Sequence, residues 1–166
     1  VVGVQRDGSI TGCSSSATVK GTIKVGGVAG QTIFGATLTA CYATGNVNIE
    51  IDRTQDISGG GLVGFNDGIS LLSCYATGNV TSTGSGTGVH IGGFLGDNYT
   101  TVTACYWKNN HEQGIGYNKK STEATKVDGT GVTWKNAVDA MNTALQNAGS
   151  KWRYELNGAL PTLRKQ

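Results

Sequence analysis

Four cysteines, at positions 13, 41, 74 and 105, carry the strongest intrinsic chemistry in this sequence, and their spacings of 28, 33 and 31 residues are nearly even. Thiolate metal sites draw ligand pairs from short CxxC-type turns; no CxxC occurs, so no metal centre is expected. Even spacing instead gives each cysteine the same inward-facing place in successive copies of one unit, which predicts free buried thiols. A bridge between neighbours is the alternative, allowed by distance but poorly matched to the dihedral a disulfide needs. Tyr42, Tyr75 and Tyr106 each directly follow a cysteine, and on extended backbone the next side chain points the opposite way. A row of rings facing outward is a candidate binding site, able to stack on sugar rings or on a partner strand. Rings that stack on one another and cover a loop are the other reading.

The remaining candidates are weaker. Glu50, Asp52 and Asp56 surround Arg53, a set that could ligate calcium through oxygen, but no second carboxylate cluster faces it and a solvated loop is the expectation. His90 and His111 stand alone, with no HExxH and no readable Ser-His-Asp set. No catalytic residue, metal or cofactor is therefore expected. Asn79-Val80-Thr81 and Asn98-Tyr99-Thr100 fit the glycosylation pattern. Glycine pairs such as Gly26-Gly27 lack the lysine and helix of a phosphate loop and read as close-packed corners.

What would position these residues is a repeat. Cys41-Tyr-Ala-Thr-Gly-Asn-Val47 recurs residue for residue at Cys74–Val80; Cys13-Ser-Ser-Ser-Ala-Thr-Val19 is a weaker copy, and Cys105-Tyr106-Trp107 opens another. Ahead of three of the cysteines lie Gly26-Gly-Val-Ala-Gly30, Gly60-Gly-Leu-Val-Gly64 and Gly92-Gly-Phe-Leu-Gly96. Val1-Val2-Gly3 matches the tail of that motif, so further repeats are expected upstream in a longer parent protein. Aligned copies place Ile10, Leu38, Leu71 and Val102 in one inward column, Val19, Val47 and Val80 in another, and Val28, Leu62 and Phe94 in a third. A column of small residues, Gly12, Ala40, Ser73 and Ala104, suits a bend. The expected fold is all-β: a parallel β-solenoid of three to four turns of about 30 residues over 1–118, with three short strands per turn stacked about 4.8 Å apart.

Composition agrees. Glycine supplies 27 of the 166 residues and Asp, Glu, Lys and Arg only 14%, against about 7% and about 25% in ordinary domains; coiled coils and charged bundles are excluded. With a formal charge of +2 and no basic face, nucleic acid is not an expected partner. No apolar run reaches the roughly 18 residues of a membrane span, so no membrane insertion is expected. Residues 119–166 abandon the repeat. From Thr133 as N-cap, Trp134, Ala137, Val138, Met141 and Leu145 follow helical spacing and predict a helix over 134–148 ending at Gly149. Asn157-Gly158 then predicts a hairpin over 152–163. A solenoid end leaves backbone and apolar groups open, so this α+β segment is expected to cap it.

With Gly61-Leu62-Val63-Gly64 ahead of the Cys-Tyr-Ala-Thr-Gly segment, the chain resembles the GLUG repeat family, named for its Gly-Leu-any-Gly core, over roughly residues 1–116. Copies at 26–30 and 92–96 carry Val28 and Phe94 at the Leu position. The resemblance implies a part of a large bacterial surface protein, adhesin-like or the non-catalytic region of an IgA-cleaving metalloprotease, hence a secreted or cell-surface, outer-membrane-associated location. A non-enzymatic adhesion or ligand-display module with a host glycan or protein as partner is the leading expectation, with a purely structural stalk as its near variant. The accessory region of a secreted carbohydrate-active enzyme or protease is the alternative. Paired carboxylates would mark a carbohydrate-active cleft, and none is visible.

Overall fold

The computed structural model describes residues 2–51 and 55–166. Each short extended segment pairs in parallel with the segment one turn away, giving five sheets. The first holds Val2–Arg6, Ala29–Ile33, Val63–Asp67, Leu95–Asn98 and Ile115–Asn118; the second Ser9–Thr11, Thr37–Thr39, Ser70–Leu72 and Thr101–Thr103. The third holds Ser14–Ser15, Tyr42–Ala43, Tyr75–Ala76, Tyr106–Trp107 and Thr125–Lys126. Val19–Gly21, Val47–Glu50 and Val80–Thr83 form the fourth, and Lys24–Gly26, Ile57–Gly60 and Val89–Gly92 the fifth. Three complete turns and then partial ones make a parallel β-solenoid.

A turn therefore has five strands where three were expected, because two kinds of corner cut the longer stretches. One is the small-residue column: Gly12, Ala40, Ser73 and Ala104 all have left-handed backbone, with φ of 65°, 52°, 52° and 48°. Only a side chain with little bulk tolerates that conformation cheaply, at about 1–2 kcal/mol for a non-glycine residue. The other is the glycine motif. A Cβ on Gly60 would lie 2.2 Å from the Val63 carbonyl oxygen and 2.6 Å from the Leu95 Cα, so the fifth and first sheets touch backbone to backbone. This waist divides the interior. One core holds the inward columns Leu38, Leu71, Val102 and Val28, Leu62, Phe94 together with Cys41, Cys74 and Cys105; the other holds Val25, Val47, Ile49, Ile57 and Val80.

Beside the waist runs a column of buried amides that repeat alignment had left unread. Thr32 Oγ1 donates to Asn66 Oδ1 (2.6 Å), Asn66 Nδ2 to Asn98 Oδ1 (2.8 Å), and Asn98 Nδ2 to Asn118 Oδ1 (3.1 Å). An amide carries both donor and acceptor, so identical residues one turn apart satisfy each other.

Helix α1 spans Trp134–Asn147 and begins with a reciprocal cap: the Asn136 N–H donates to Thr133 Oγ1 and the Thr133 N–H to Asn136 Oδ1. Trp134, Ala137, Val138, Met141 and Leu145 are its buried face. Trp152–Glu155 and Thr162–Lys165 pair antiparallel. Their loop covers residues 156–161, wider than the two-residue turn expected at Asn157-Gly158; Pro161 has no N–H for the ladder, and its carbonyl accepts from the Tyr75 hydroxyl instead. Nor does this segment sit across the solenoid end. It lies along the side, over the outer faces of the second and third sheets, burying Ala40, Tyr75 and Tyr106 with Leu72 and Ala104 beside them. Ser73 Oγ donates to the Met141 carbonyl (2.9 Å), and a Cβ at Gly12 would fall 2.1 Å from the Trp152 ring. The bend column is thus small for a second reason: helix and hairpin are pressed against it. The stacking also passes the expected boundary at 118, since Thr125–Lys126 adds to the third sheet and the Val127 N–H donates to Trp107 O (2.8 Å).

Asn66→Ala removes the middle of the amide ladder, takes away the acceptor of Thr32 Oγ1 and leaves Asn98 Oδ1 only a long hydrogen bond from the Thr100 N–H (3.4 Å). It should cost about 2–4 kcal/mol in urea denaturation, whereas Asn48→Ala at the surface should stay within about 0.5 kcal/mol.

Candidate functional site

The tyrosine row read as a candidate binding site points away from the solenoid interior, in register on the third sheet: Ser14, Tyr42, Tyr75, Tyr106 and then Thr125. Tyr42 and Tyr75 stack at 4.8 Å with planes 3° apart, the spacing of the turns themselves. The row is not an open platform, however. Tyr75 is fully buried and Tyr106 is 8% exposed, because helix α1 and the hairpin cover them. Trp134 meets the Tyr75 ring edge-on at 5.0 Å, and Tyr154 approaches it at 5.8 Å while donating to Ser73 O (2.9 Å). Burial holds the Tyr75 and Tyr154 phenols well above their ordinary ionisation range. Tyr42 alone is half-exposed. A cavity of about 330 Å³ lies beside it, bounded by Ser14, Ser15, Ser16 and Thr44 on the solenoid and by Leu160–Thr162 on the hairpin loop.

All four cysteines are free, and three are buried as expected. Cys13 is exposed instead, since no described turn stacks beyond it. Each thiol donates to the carbonyl two residues back, as Cys41 does to Thr39 O at 3.3 Å and Cys74 to Leu72 O at 3.4 Å. The Cys41 thiol is pushed up by its hydrogen bond to Cys74 and by burial, and the Cys74 thiol by burial first. Both remain protonated and unreactive.

Of the acidic set, Glu50 and Asp56 are exposed, and Asp52 and Arg53 lie outside the described residues. Among the described residues no three His, Cys, Asp or Glu side chains converge as a metal site requires. His111 staples a corner, its Nε2 3.0 Å from Val80 O. Asn79 is exposed, but Asn98 is fully buried in the amide ladder, so the folded chain offers no glycan acceptor there.

Sequence reasoning missed a cluster on the other flank, where the fifth sheet faces the first. Ser58 and His90 share one register column, and Phe65, Asp97 and Tyr117 another. Asp97 is buried, takes a hydrogen bond from Ser58 Oγ through one carboxylate oxygen, and has His90 Nδ1 2.7 Å from the other. No hydrogen bond of regular geometry reaches that second oxygen; the close approach is favourable with the proton on Nδ1. The carboxylate, not the imidazole, stands in the middle, and Ser58 is 2% exposed, so this is no nucleophile relay. Around it runs an aromatic strip: Phe65–Tyr99 at 5.3 Å, Tyr99–Tyr117 at 5.9 Å, and His90 stacked on Tyr117 at 5.0 Å. Lys24 Nζ sits 4.3 Å from the Phe65 centroid and Lys119 Nζ 5.4 Å from that of Tyr99. Residues one and two positions past the glycine motif supply Phe65, Asn66, Asp97 and Asn98, and the recurrence Gly64-Phe-Asn66, Gly96-Asp-Asn98, Gly116-Tyr-Asn118 was the signal available.

A family model described as the GLUG motif matches residues 56–81, which hold Ser58 and Phe65 of this cluster. The chain carries a GLUG motif there. No curated protein and no solved structure matches it. The GLUG residues have architectural work here: Leu62 is fully buried, a Cβ on Gly61 would lie 2.4 Å from Gly93 O, and one on Gly64 2.5 Å from the Val25 nitrogen. The motif encodes the waist.

In the native protein under mildly alkaline conditions, iodoacetamide should label Cys13 alone, and all four cysteines after denaturation, read by mass spectrometry of peptides. Thiols and phenols raised in the folded state stabilise it fully below their unfolded values of 9.0 and 10.0, and that contribution is lost as pH climbs past them. The melting temperature should therefore decline from pH 9.0 upward as the unfolded chain ionises.

Proposed function

We propose that this GLUG-repeat solenoid is a non-enzymatic extracellular surface module, working in bacterial adhesion or ligand display at the cell surface or in secreted form. The observation that carries the reading is the uncovered strip of Phe65, Tyr99 and Tyr117, flanked by Lys24, Lys119 and the half-exposed His90. Rings and cations in register on a rigid sheet supply repeated weak contacts, which a polyvalent partner turns into avidity. A host glycan or protein is the partner class this surface suits. The Ser58–Asp97–His90 geometry, with its serine sealed off, favours binding over turnover. A structural stalk is the second reading, favoured by the architectural character of the motif residues.

The labelled domain should bind saturably to members of an array of host glycans and matrix proteins. Tyr117→Ser, at an exposed position, should weaken that binding by about tenfold, or about 1.4 kcal/mol, with its melting temperature unchanged. Silence of the folded domain across the array would overturn adhesion in favour of the stalk.

A further inference from the structure

The repeat is broken at one rung of its tyrosine ladder. Tyr42, Tyr75 and Tyr106 occupy one column, and the first turn has Ser14 in that column, in register with Tyr42. Tyr75 stacks on one face of the Tyr42 ring at 4.8 Å. The opposite face looks toward Ser14, where the next ring is missing. Helix and hairpin do not fill the gap: the cavity of about 330 Å³ beside Tyr42 remains, closed on its outer side by Leu160, Pro161 and Thr162.

We infer that this gap is a binding slot for one hexopyranose ring of a glycan, seated on the free face of Tyr42. This deepens the ligand-display reading above by naming a ligand class and a place for it. Three features point to a sugar. The floor is a phenol ring, whose face stacks on the C–H face of a pyranose. The lining includes the hydroxyl residues Ser14, Thr44 and Thr162, and hydroxyls both donate to and accept from sugar hydroxyls. The volume lies at the small end of the roughly 300–1,000 Å³ range of ligand sites. The floor is also preorganised, because Tyr42 is held flat against a buried Tyr75 whose hydroxyl is tied to Pro161 O. A purely apolar gap would suit an aromatic side chain of a partner protein better, and that occupant is an outcome of the test.

The test uses saturation-transfer NMR on the full chain with methyl β-D-glucopyranoside, methyl β-D-galactopyranoside, methyl α-D-mannopyranoside and p-cresol as separate probes. At least one pyranoside should receive saturation, strongest on the ring protons of one face. Ser14→Tyr completes the ladder and fills the slot; it should cut pyranoside affinity by about tenfold or more while the melting temperature holds or rises. Tyr42→Leu should cut it comparably by removing the floor, and Tyr117→Ser, on the opposite flank, should leave it unchanged. The inference is overturned if no pyranoside is saturated, if Ser14→Tyr and Tyr42→Leu bind as well as the parent, or if p-cresol alone binds. Array binding that survives Ser14→Tyr but falls in Tyr117→Ser would sink the slot and leave the adhesion reading standing. Pyranoside saturation with a silent array would do the reverse.

Discussion

Every feature of this molecule depends on the parallel stacking of its turns in register, one hydrogen-bonded strand spacing apart. That constraint places each residue against its own counterpart in the neighbouring turn. Side chains content with their own kind fill many of the columns: aliphatic groups inside, thiols along one line, the Tyr42 and Tyr75 rings stacked at 4.8 Å on another, and polar groups that alternate donor and acceptor from Thr32 to Asn118. Stacked like charges would repel. Only 14% of residues are charged, with the basic excess in residues 119–166.

Glycine abundance follows from the same constraint. Where the fifth sheet folds back on the first, backbone meets backbone at Gly60 and Gly64, with no room for a methyl group. The bend between the second and third sheets answers to two demands at once, a left-handed backbone and a helix lying against it. Ala40, Ser73 and Ala104 meet both by being small, and Ser73 adds a hydrogen bond to the Met141 carbonyl.

A flank that a solenoid would otherwise expose is closed by the chain's own C-terminal segment. Tyr75, Tyr106 and Ala40 form an apolar strip crossing several turns, and the face of helix α1 from Trp134 to Leu145 matches it in length and character. Covering the flank ties separate turns together, so disruption of one turn is resisted by the others through a common clamp. It leaves uncovered the opposite side, where Phe65, Tyr99 and Tyr117 lie, and the rung where Ser14 stands in register with Tyr42.

The repeat by itself determined the parallel solenoid, the three inward columns, the buried thiols of the interior turns and the bend at the small-residue column, and helical spacing beyond it determined the capped helix from Thr133. Each of these depends on a residue and its equivalent one turn away, or on neighbours three and four apart, and such relations are written in spacing. Only the tertiary structure decided where the C-terminal segment docks, that Tyr75 and Tyr106 lie beneath it, that Cys13 stands exposed, and that Ser58, His90 and Asp97 converge. These depend on how far one sheet folds back on another and on which of several apolar surfaces the helix covers. Those are questions of shape and packed area, and no spacing along the chain encodes them.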